Sequence, residues 1–217
     1  MNRIYGEVSD KEFAAAADPS EKEVASFALV WGVMLFAGVP ILESISIAAS
    51  VTPNARLRKI IIETYEEARN GGALAPYFQT RLDACHRDFV IALKTGERRE
   101  NVGESLLNHA VVCSLAPGHV SSQLNWSKDL VSFTHRMAEF LGNGICVLSS
   151  LSCAIREAED PFLQELKNVR GWVENGDPLS LALSKSPETF DRLYANIIRA
   201  GEVNHDLPRA FELLLLL

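Results

Sequence analysis

The sequence has few of the residues that build metal and thiol sites, and those it has are scattered. Its 217 residues include four cysteines and five histidines. No two cysteines form a Cys-x-x-Cys pair, and none has a histidine at a convincing ligand spacing, which argues against a cysteine–histidine metal centre. The histidines fall in different predicted elements and lack the spacing of a catalytic triad or a metal site.

Two common catalytic motifs are absent as well. The chain has no Gly-x-Ser-x-Gly turn of the kind that presents a nucleophilic serine. It has no glycine-rich phosphate loop ending in Lys-Ser or Lys-Thr, so it is not itself a nucleotide-driven motor. Residues 83–88 bring a cysteine, a histidine and two aspartates together, but on a predicted helix these side chains point in different directions. The sequence therefore predicts a protein that is not an enzyme and needs no cofactor.

The chain also lacks a basic patch. Its net charge is −7, and residues 24–112 hold 9 basic and 9 acidic side chains, whereas residues 129–217 hold 8 basic and 13 acidic ones. A phosphate backbone needs clustered lysine and arginine, so nucleic acid is not an expected partner. The acidic second half is suited to a basic protein surface or a cation, with ordinary solvation as the alternative.

The cysteines favour a reducing compartment. Cys146 and Cys153 are seven residues apart, on one helix face, and we predict that they are small core residues. Free buried thiols are typical of the cytoplasm. The first residues are polar and alanine-rich without the hydrophobic core of a signal peptide, which agrees with that expectation.

The most informative feature that is present is a sequence unit that occurs twice. Matching residues keep one order, at an offset of 106 and then, after a one-residue deletion, of 105. They are Phe27 and Phe133, Gly38 and Gly144, Leu42 and Leu148, Asn70-Gly71 and Asn175-Gly176, Leu74 and Leu179, and Gly96-Glu97 and Gly201-Glu202. Such a repeat indicates two tandem domains.

One hydrophobic stretch raises the question of a membrane span. Residues 24–42 carry no charge over 19 positions, which by length and composition would nominate a transmembrane helix. Pro40 is expected to end that helix early, because the residue before proline is pushed out of the α region. The second copy carries His135, Arg136 and Glu139 in the matching stretch. We therefore predict a buried bundle helix, with membrane contact as the alternative.

Helical periodicity and capping signals recur in both copies, and no useful alternating run indicates a strand. The sequence predicts an all-α fold with helices near 24–37, 40–50, 55–69, 73–80, 84–95 and 98–113, and again near 129–142, 145–157, 161–174, 178–184, 188–200 and 204–217. The predicted domains are a lead-in over 1–23, a first unit over 24–113, a linker over 114–128 and a second unit over 129–217.

The order of these motifs resembles the F domain of the inner-membrane platform proteins of type II secretion and type IV pilus machines. That unit opens with a Phe-led apolar helix and a Gly-Val-Pro-Leu-like turn, here Gly38 to Leu42. A Gly-x-x-Leu segment follows, here beginning at Gly71 and Gly176. The unit ends in Gly-Glu, here Gly96-Glu97 and Gly201-Glu202, and the resemblance covers nearly the whole chain. His205 departs from it, since a glycine often follows the Gly-Glu pair at that point.

The resemblance implies two tandem six-helix antiparallel bundles related by internal duplication, with a scaffold role. Platform proteins sit at the base of the machine and are thought to couple a cytoplasmic assembly ATPase to pilin or pseudopilin subunits. Family members usually separate and follow their F units with transmembrane helices. Here about 15 polar residues join the units, so the expectation is a soluble version, a degenerate relative or a piece of a longer chain.

The sharpest candidate for chemistry is the pair Glu202 and Asp206, one helical turn apart. Two carboxylates at this spacing can share Ca²⁺ or Mg²⁺, as acids after Gly-Glu do in some family members. The first copy keeps Glu97 but has Asn101. The alternative is that Glu202 accepts hydrogen bonds near a helix start, where negative charge is favoured, while Asp206 caps a helix or faces solvent.

The glycines of the two Gly-Glu pairs, Gly96 and Gly201, are predicted to let helices approach closely or to break one helix into the next. The resulting hypothesis is a non-catalytic scaffold, cytoplasmic or peripheral at the inner membrane. It would dock an assembly ATPase and other machine components, or associate with itself. The alternatives are a repurposed helical adaptor unrelated to secretion, and a small-molecule-binding or hydrolytic helical enzyme.

Overall fold

The computed structural model describes residues 16–82, 86–113, 120, 124 and 126–217. No strand occurs among them, and the all-α prediction is confirmed. The chain divides into two compact units, Met1–Val120 and Ser121–Leu217. Most of the predicted linker, most of the lead-in and Cys85 lie outside the described residues.

The described part of each unit contains six helices in the order that the repeat predicts. In the first unit they are α1 (Glu21–Phe36), α2 (Ile41–Val51), α3 (Ala55–Arg69), α4 (Leu74–Arg81), α5 (Arg87–Arg99) and α6 (Val102–Val112). In the second they are α7 (Lys128–Gly142), α8 (Val147–Glu157), α9 (Phe162–Glu174), α10 (Leu179–Ser184), α11 (Arg192–Val203) and α12 (Leu207–Leu214). In both units each helix packs on the next and the last helix packs on the first.

Two predicted helix ends are wrong. We predicted that the helices before the last one in each unit would end near 95 and 200, ahead of the Gly-Glu pairs. Instead α5 continues to Arg99 and α11 to Val203, so both pairs lie inside a helix. Glycine weakens a helix, but at these two positions the following helix packs too closely to leave room for a side chain.

The hydrophobic stretch after residue 24 forms a buried helix of the bundle, as predicted. Every residue from Val24 to Met34 is buried in α1. The helix ends at Phe36, and Gly38 follows with φ 93°. Within the described residues, no helix combines the length and the apolar character that crossing a bilayer requires.

Glycines at matching positions end the helices of both units. Gly38 and Gly144 have φ 93° and 78°, and Gly71 and Gly176 have φ 78° and 98°. Only glycine adopts these left-handed angles without strain, so each turn reverses the chain immediately after its helix. Pro40 then caps α2 without being part of it, one residue away from the predicted start.

An aromatic cluster fills each core around the matching phenylalanines. Phe27 lies 5.3 Å from Trp31 and 5.9 Å from Phe78, measured between ring centroids. Phe133 lies 5.9 Å from both Phe162 and Phe190 in the second unit. Burying such large rings contributes strongly to the stability of each bundle.

The cysteine prediction is wrong for Cys146. This residue is exposed and precedes α8 as its N-cap, while Cys153 is half-buried within that helix. The Cys146 thiol donates a hydrogen bond to the Ser149 hydroxyl at 3.1 Å, and hydrogen bonding with the side chain and backbone of Ser149 lowers the pKa of the thiol.

Candidate functional site

A glutamate from a distant helix caps the short helix α4. The N-cap residue Ala73 has no side chain that can accept a hydrogen bond. The Glu97 carboxylate takes over, because Leu74 N donates to it at 2.6 Å and Ala75 N at 3.3 Å. A carboxylate at a helix start both satisfies free backbone N–H groups and interacts favourably with the helix dipole.

The second unit contains the same arrangement. Pro178, the N-cap of α10, likewise offers no capping side chain. Leu179 N donates to Glu202 at 2.6 Å and Ser180 N at 3.3 Å, and the Ser180 hydroxyl bonds to the same carboxylate. We call each of these arrangements, Glu97 on α4 and Glu202 on α10, a glutamate clamp.

The glycine before each clamp glutamate lets the next helix approach. A Cβ atom on Gly96 would lie 2.7 Å from Val102 Cα, and one on Gly201 would lie 2.5 Å from Ala210 Cβ. Both distances are too short for any side chain. Of the two possibilities that the sequence offered for these glycines, the geometry therefore supports close approach: α5 with α6, and α11 with α12.

The turn after each Gly-Glu pair is the same in both units, although neither has a glycine there. Glu100 and His205 hold φ 56° and 55°. The next amide closes the helix end, with Asn101 N bonded to Gly96 O at 2.9 Å and Asp206 N bonded to Gly201 O at 2.8 Å. This is the Schellman pattern, which normally has glycine at the left-handed position.

We therefore expect His205→Gly to stabilise the second unit by about 0.5–1 kcal/mol, because relief of left-handed strain outweighs the greater freedom of glycine in the unfolded chain. The urea midpoint measures the effect. His135→Gly, at an exposed position inside α7, is the matched control and should destabilise by about 1 kcal/mol. An equal loss of stability in both variants would show that the left-handed angle of His205 is not strained.

Asn101 and Asp206 cap the helices that follow these turns. Glu104 N donates to Asn101 Oδ1 at 3.3 Å, and Arg209 N donates to Asp206 Oδ1 at 3.1 Å. Both Glu202 and Asp206 thus accept backbone hydrogen bonds, which was the alternative to a metal site. The described part of the chain holds no group of three or more histidine, cysteine, aspartate or glutamate side chains that could hold a metal.

A shared cation at Glu202 and Asp206 stays a prediction. Ca²⁺ takes six to eight oxygen ligands, so these two carboxylates would need further oxygens from elsewhere.

The comparison with known protein families agrees with this duplicated geometry. The sequence model of the family described as type II secretion system protein F matches residues 27–114 and 133–215, once in each unit. The chain belongs to this family. The F-family assignment and the resemblance stated from the sequence therefore coincide.

Several curated relatives of this F-family chain are pilus and secretion proteins. The type IV pilus assembly protein PilC of Thermus thermophilus is 43% identical over 81 residues, which is 37% of this chain and 20% of that protein. The type II secretion system protein F of Xanthomonas campestris pv. campestris is 36% identical over 74 residues, which is 34% of this chain and 18% of that protein. Each alignment thus spans about a fifth of the relative.

The two F units differ beside the clamp. In the second unit a groove of about 490 Å³ runs next to Glu202 and His205, with Leu141, Ile145, Leu207 and Pro208 among its walls. In the first unit, a Cβ on Gly103 would lie 2.8 Å from Phe36 N, so α6 lies directly against α1. Pro208 stands at the position that aligns with Gly103, where its ring prevents the same approach.

Sequence reasoning did not locate the partners of the clamp glutamates. The signal was available, since Ala73 and Pro178 leave α4 and α10 without a capping side chain. The missing caps do not identify the acceptor. Glu97 and Glu202 lie 23 residues after Leu74 and Leu179, and they reach these helices only through the tertiary fold.

Proposed function

We propose that this chain is a non-catalytic interaction scaffold equivalent to the cytoplasmic domains of an inner-membrane platform protein. It docks the assembly ATPase and other components of a type II secretion or type IV pilus machine. In this proposal it acts in the cytoplasm or peripherally at the inner membrane. The observation that carries the proposal is the duplicated F unit, with a family match in each copy.

The use of the motif carboxylates supports a scaffold role. Glu97 and Glu202 accept backbone hydrogen bonds from neighbouring helices, and Asp206 caps α12. Glu97 and Glu202 thereby join two helices of one bundle, whereas Asp206 stabilises the start of its own helix. A scaffold acts by binding partners on its surface, so we expect the function to lie in the exposed surfaces of the two bundles.

Binding of the full chain to the assembly ATPase encoded in the same genome tests the proposal. We expect saturable binding in biolayer interferometry, with a Kd on the order of micromolar, typical of a transient machine contact. An unrelated ATPase of the same genome serves as the control and should not bind. The chain should also be folded in the assay, shown by helical circular dichroism and cooperative unfolding.

A folded chain that fails to bind the assembly ATPase, or binds both ATPases equally, contradicts the docking proposal. Affinity capture that instead recovers a soluble protein unconnected with pili or secretion would favour the repurposed adaptor. ATP hydrolysis or ester hydrolysis by the purified chain would contradict the non-catalytic part.

A further inference from the structure

The second unit contains an aromatic-walled pocket that the proposed function does not use. Its volume is about 300 Å³, and it lies between the start of α7, the start of α9 and the segment before α11. Trp126 and Phe162 form apolar walls. Four carboxylates also line it, from Asp129, Glu165, Glu188 and Asp191. Among the described lining residues there is no lysine or arginine.

Two of these carboxylates are fixed in place by their own unit. Asp191 accepts hydrogen bonds from Trp126 Nε1 and from Tyr194 N, both at 2.8 Å. The Ser186 hydroxyl donates to Glu165 at 2.5 Å. The indole of Trp126 also packs edge-on against the buried Tyr194 ring at 5.6 Å. One wall and two charges of the pocket are therefore held rigidly before any partner arrives.

The other two carboxylates, Asp129 and Glu188, are exposed and make no hydrogen bond or ion pair within the part of the chain that the structure describes. The pocket thus concentrates four negative charges beside aromatic surface without an internal cation. The four carboxylates repel one another, so a cation that enters the pocket from outside interacts favourably with each of them.

The first unit has a basic side chain at the position that corresponds to one pocket-lining residue. When α3 and α9 are aligned on their buried residues Leu57 and Phe162, Arg56 corresponds to Pro161. Arg56 forms an ion pair with Asp18 at 2.8 Å. In the second unit Pro161 and Leu124 stand where the first unit has Arg56 and Asp18, so both members of that ion pair are absent and no basic side chain reaches the pocket from this position.

We propose that this pocket binds an arginine side chain of a partner protein. A guanidinium group is planar, so it stacks flat on an aromatic wall while its five N–H donors reach several carboxylates at once, whereas a lysine ammonium group is a compact charge with three donors. The acidic second half attracts such a partner at longer range. This inference goes beyond the proposed function, since it holds for any partner that presents the arginine.

The Trp126 indole reports on the pocket directly, because its N–H bonds to Asp191. The full chain, ¹⁵N-labelled at tryptophan, is titrated with N-acetyl-arginine amide while the indole signals of Trp31, Trp126 and Trp172 are followed by NMR. We expect a saturable shift of the Trp126 signal alone. The citrulline analogue, which has the same shape without the charge, should leave it in place.

The double variant Asp129→Asn/Glu188→Gln should weaken arginine binding about tenfold or more, because it removes the two unpaired charges. Glu67→Gln/Glu139→Gln makes the same net-charge change at exposed positions outside the pocket and should bind normally. Both variants should keep the wild-type circular dichroism spectrum and the indole signals of Trp31 and Trp172, since the replaced side chains are exposed.

Three results would overturn the proposal: an equal shift with citrulline, unchanged binding by the pocket variant, or equal weakening in both variants. Free arginine binding more tightly than the capped form would identify an amino-acid ligand, which contradicts the partner-protein assignment. Since no ATPase is present in the titration, these outcomes are independent of the test of the scaffold function.

Discussion

Replacing Gly201 by alanine should destabilise the second unit by about 1–3 kcal/mol, because overpacking at a helix contact forces the neighbouring backbone to move. The new methyl group would lie 2.5 Å from Ala210 Cβ and 3.1 Å from Asp206 O. The carbonyl belongs to the turn that leads into α12, so it cannot move away as a flexible side chain could. Alanine normally stabilises a helix relative to glycine, so a loss of stability here would point to the close packing.

Gly171→Ala is the matched control. Gly171 also lies inside a helix, α9, but no atom lies within 4 Å of the position that its Cβ would take. Alanine there should stabilise the second unit by about 0.5–1 kcal/mol. Adding Ala210→Gly to Gly201→Ala removes the closest clash and should recover part of the loss.

Urea unfolding gives the stability change of each variant, and hydrogen exchange read by mass spectrometry assigns it to one unit. The two units can unfold separately, so a single midpoint for the whole chain is not sufficient. If Gly201→Ala and Gly171→Ala changed the stability by the same amount, the close approach of α11 and α12 would not be what requires glycine.

Removing the clamp should have an effect of similar size. In Glu202→Ala, the amide groups of Leu179 and Ser180 lose their acceptor. Leu179 is buried, with 2% of its surface exposed, so water cannot readily replace the lost bond. We expect a loss of about 1–3 kcal/mol. The amide of Leu179 should also exchange faster with solvent.

Glu202→Gln separates charge from hydrogen bonding. Glutamine keeps one amide oxygen, which can still accept from Leu179 N, so the loss should be smaller than for alanine. Glu97→Ala should weaken the first unit in the same way, because Leu74 N donates to that carboxylate at 2.6 Å. Glu139→Gln, on the exposed surface of α7, should change the stability by less than about 0.5 kcal/mol.

Stability unchanged in both clamp variants would show that the short helices α4 and α10 do not depend on these carboxylates. A loss confined to the second unit for Glu202→Ala, and to the first unit for Glu97→Ala, would support one clamp in each bundle.

The sequence predicted the order of helices well, because the signals for it are local. Apolar residues at helical spacing, capping residues and the glycines at 38, 71, 144 and 176 each act within a few positions of the helix that they start or stop. The helix ends near Gly96 and Gly201 were predicted wrongly because they depend on tertiary packing. A glycine weakens a helix locally, and only the packing of α6 and α12 reveals that it is needed there.

At the candidate site, too, the sequence predicted local features and missed contacts that depend on the tertiary fold. The spacing of Glu202 and Asp206 suggested a shared cation, since one helical turn brings side chains together. In the structure the helix ends at Val203 and the chain turns at His205, which holds φ 55°. That turn places the two residues in the separate capping roles that the sequence offered as the alternative, and only the tertiary fold shows that Glu202 caps α10.

By itself the sequence determined the duplication, the helical class and the family, because these depend on residue order and periodicity that persist in any conformation. Only the tertiary structure decided what the Gly-Glu pairs do and where the acidic surplus of the second unit is concentrated. Hydrogen bonds across 23 residues, and a pocket formed from three separate segments, exist only once the chain has folded and brought those groups within contact distance.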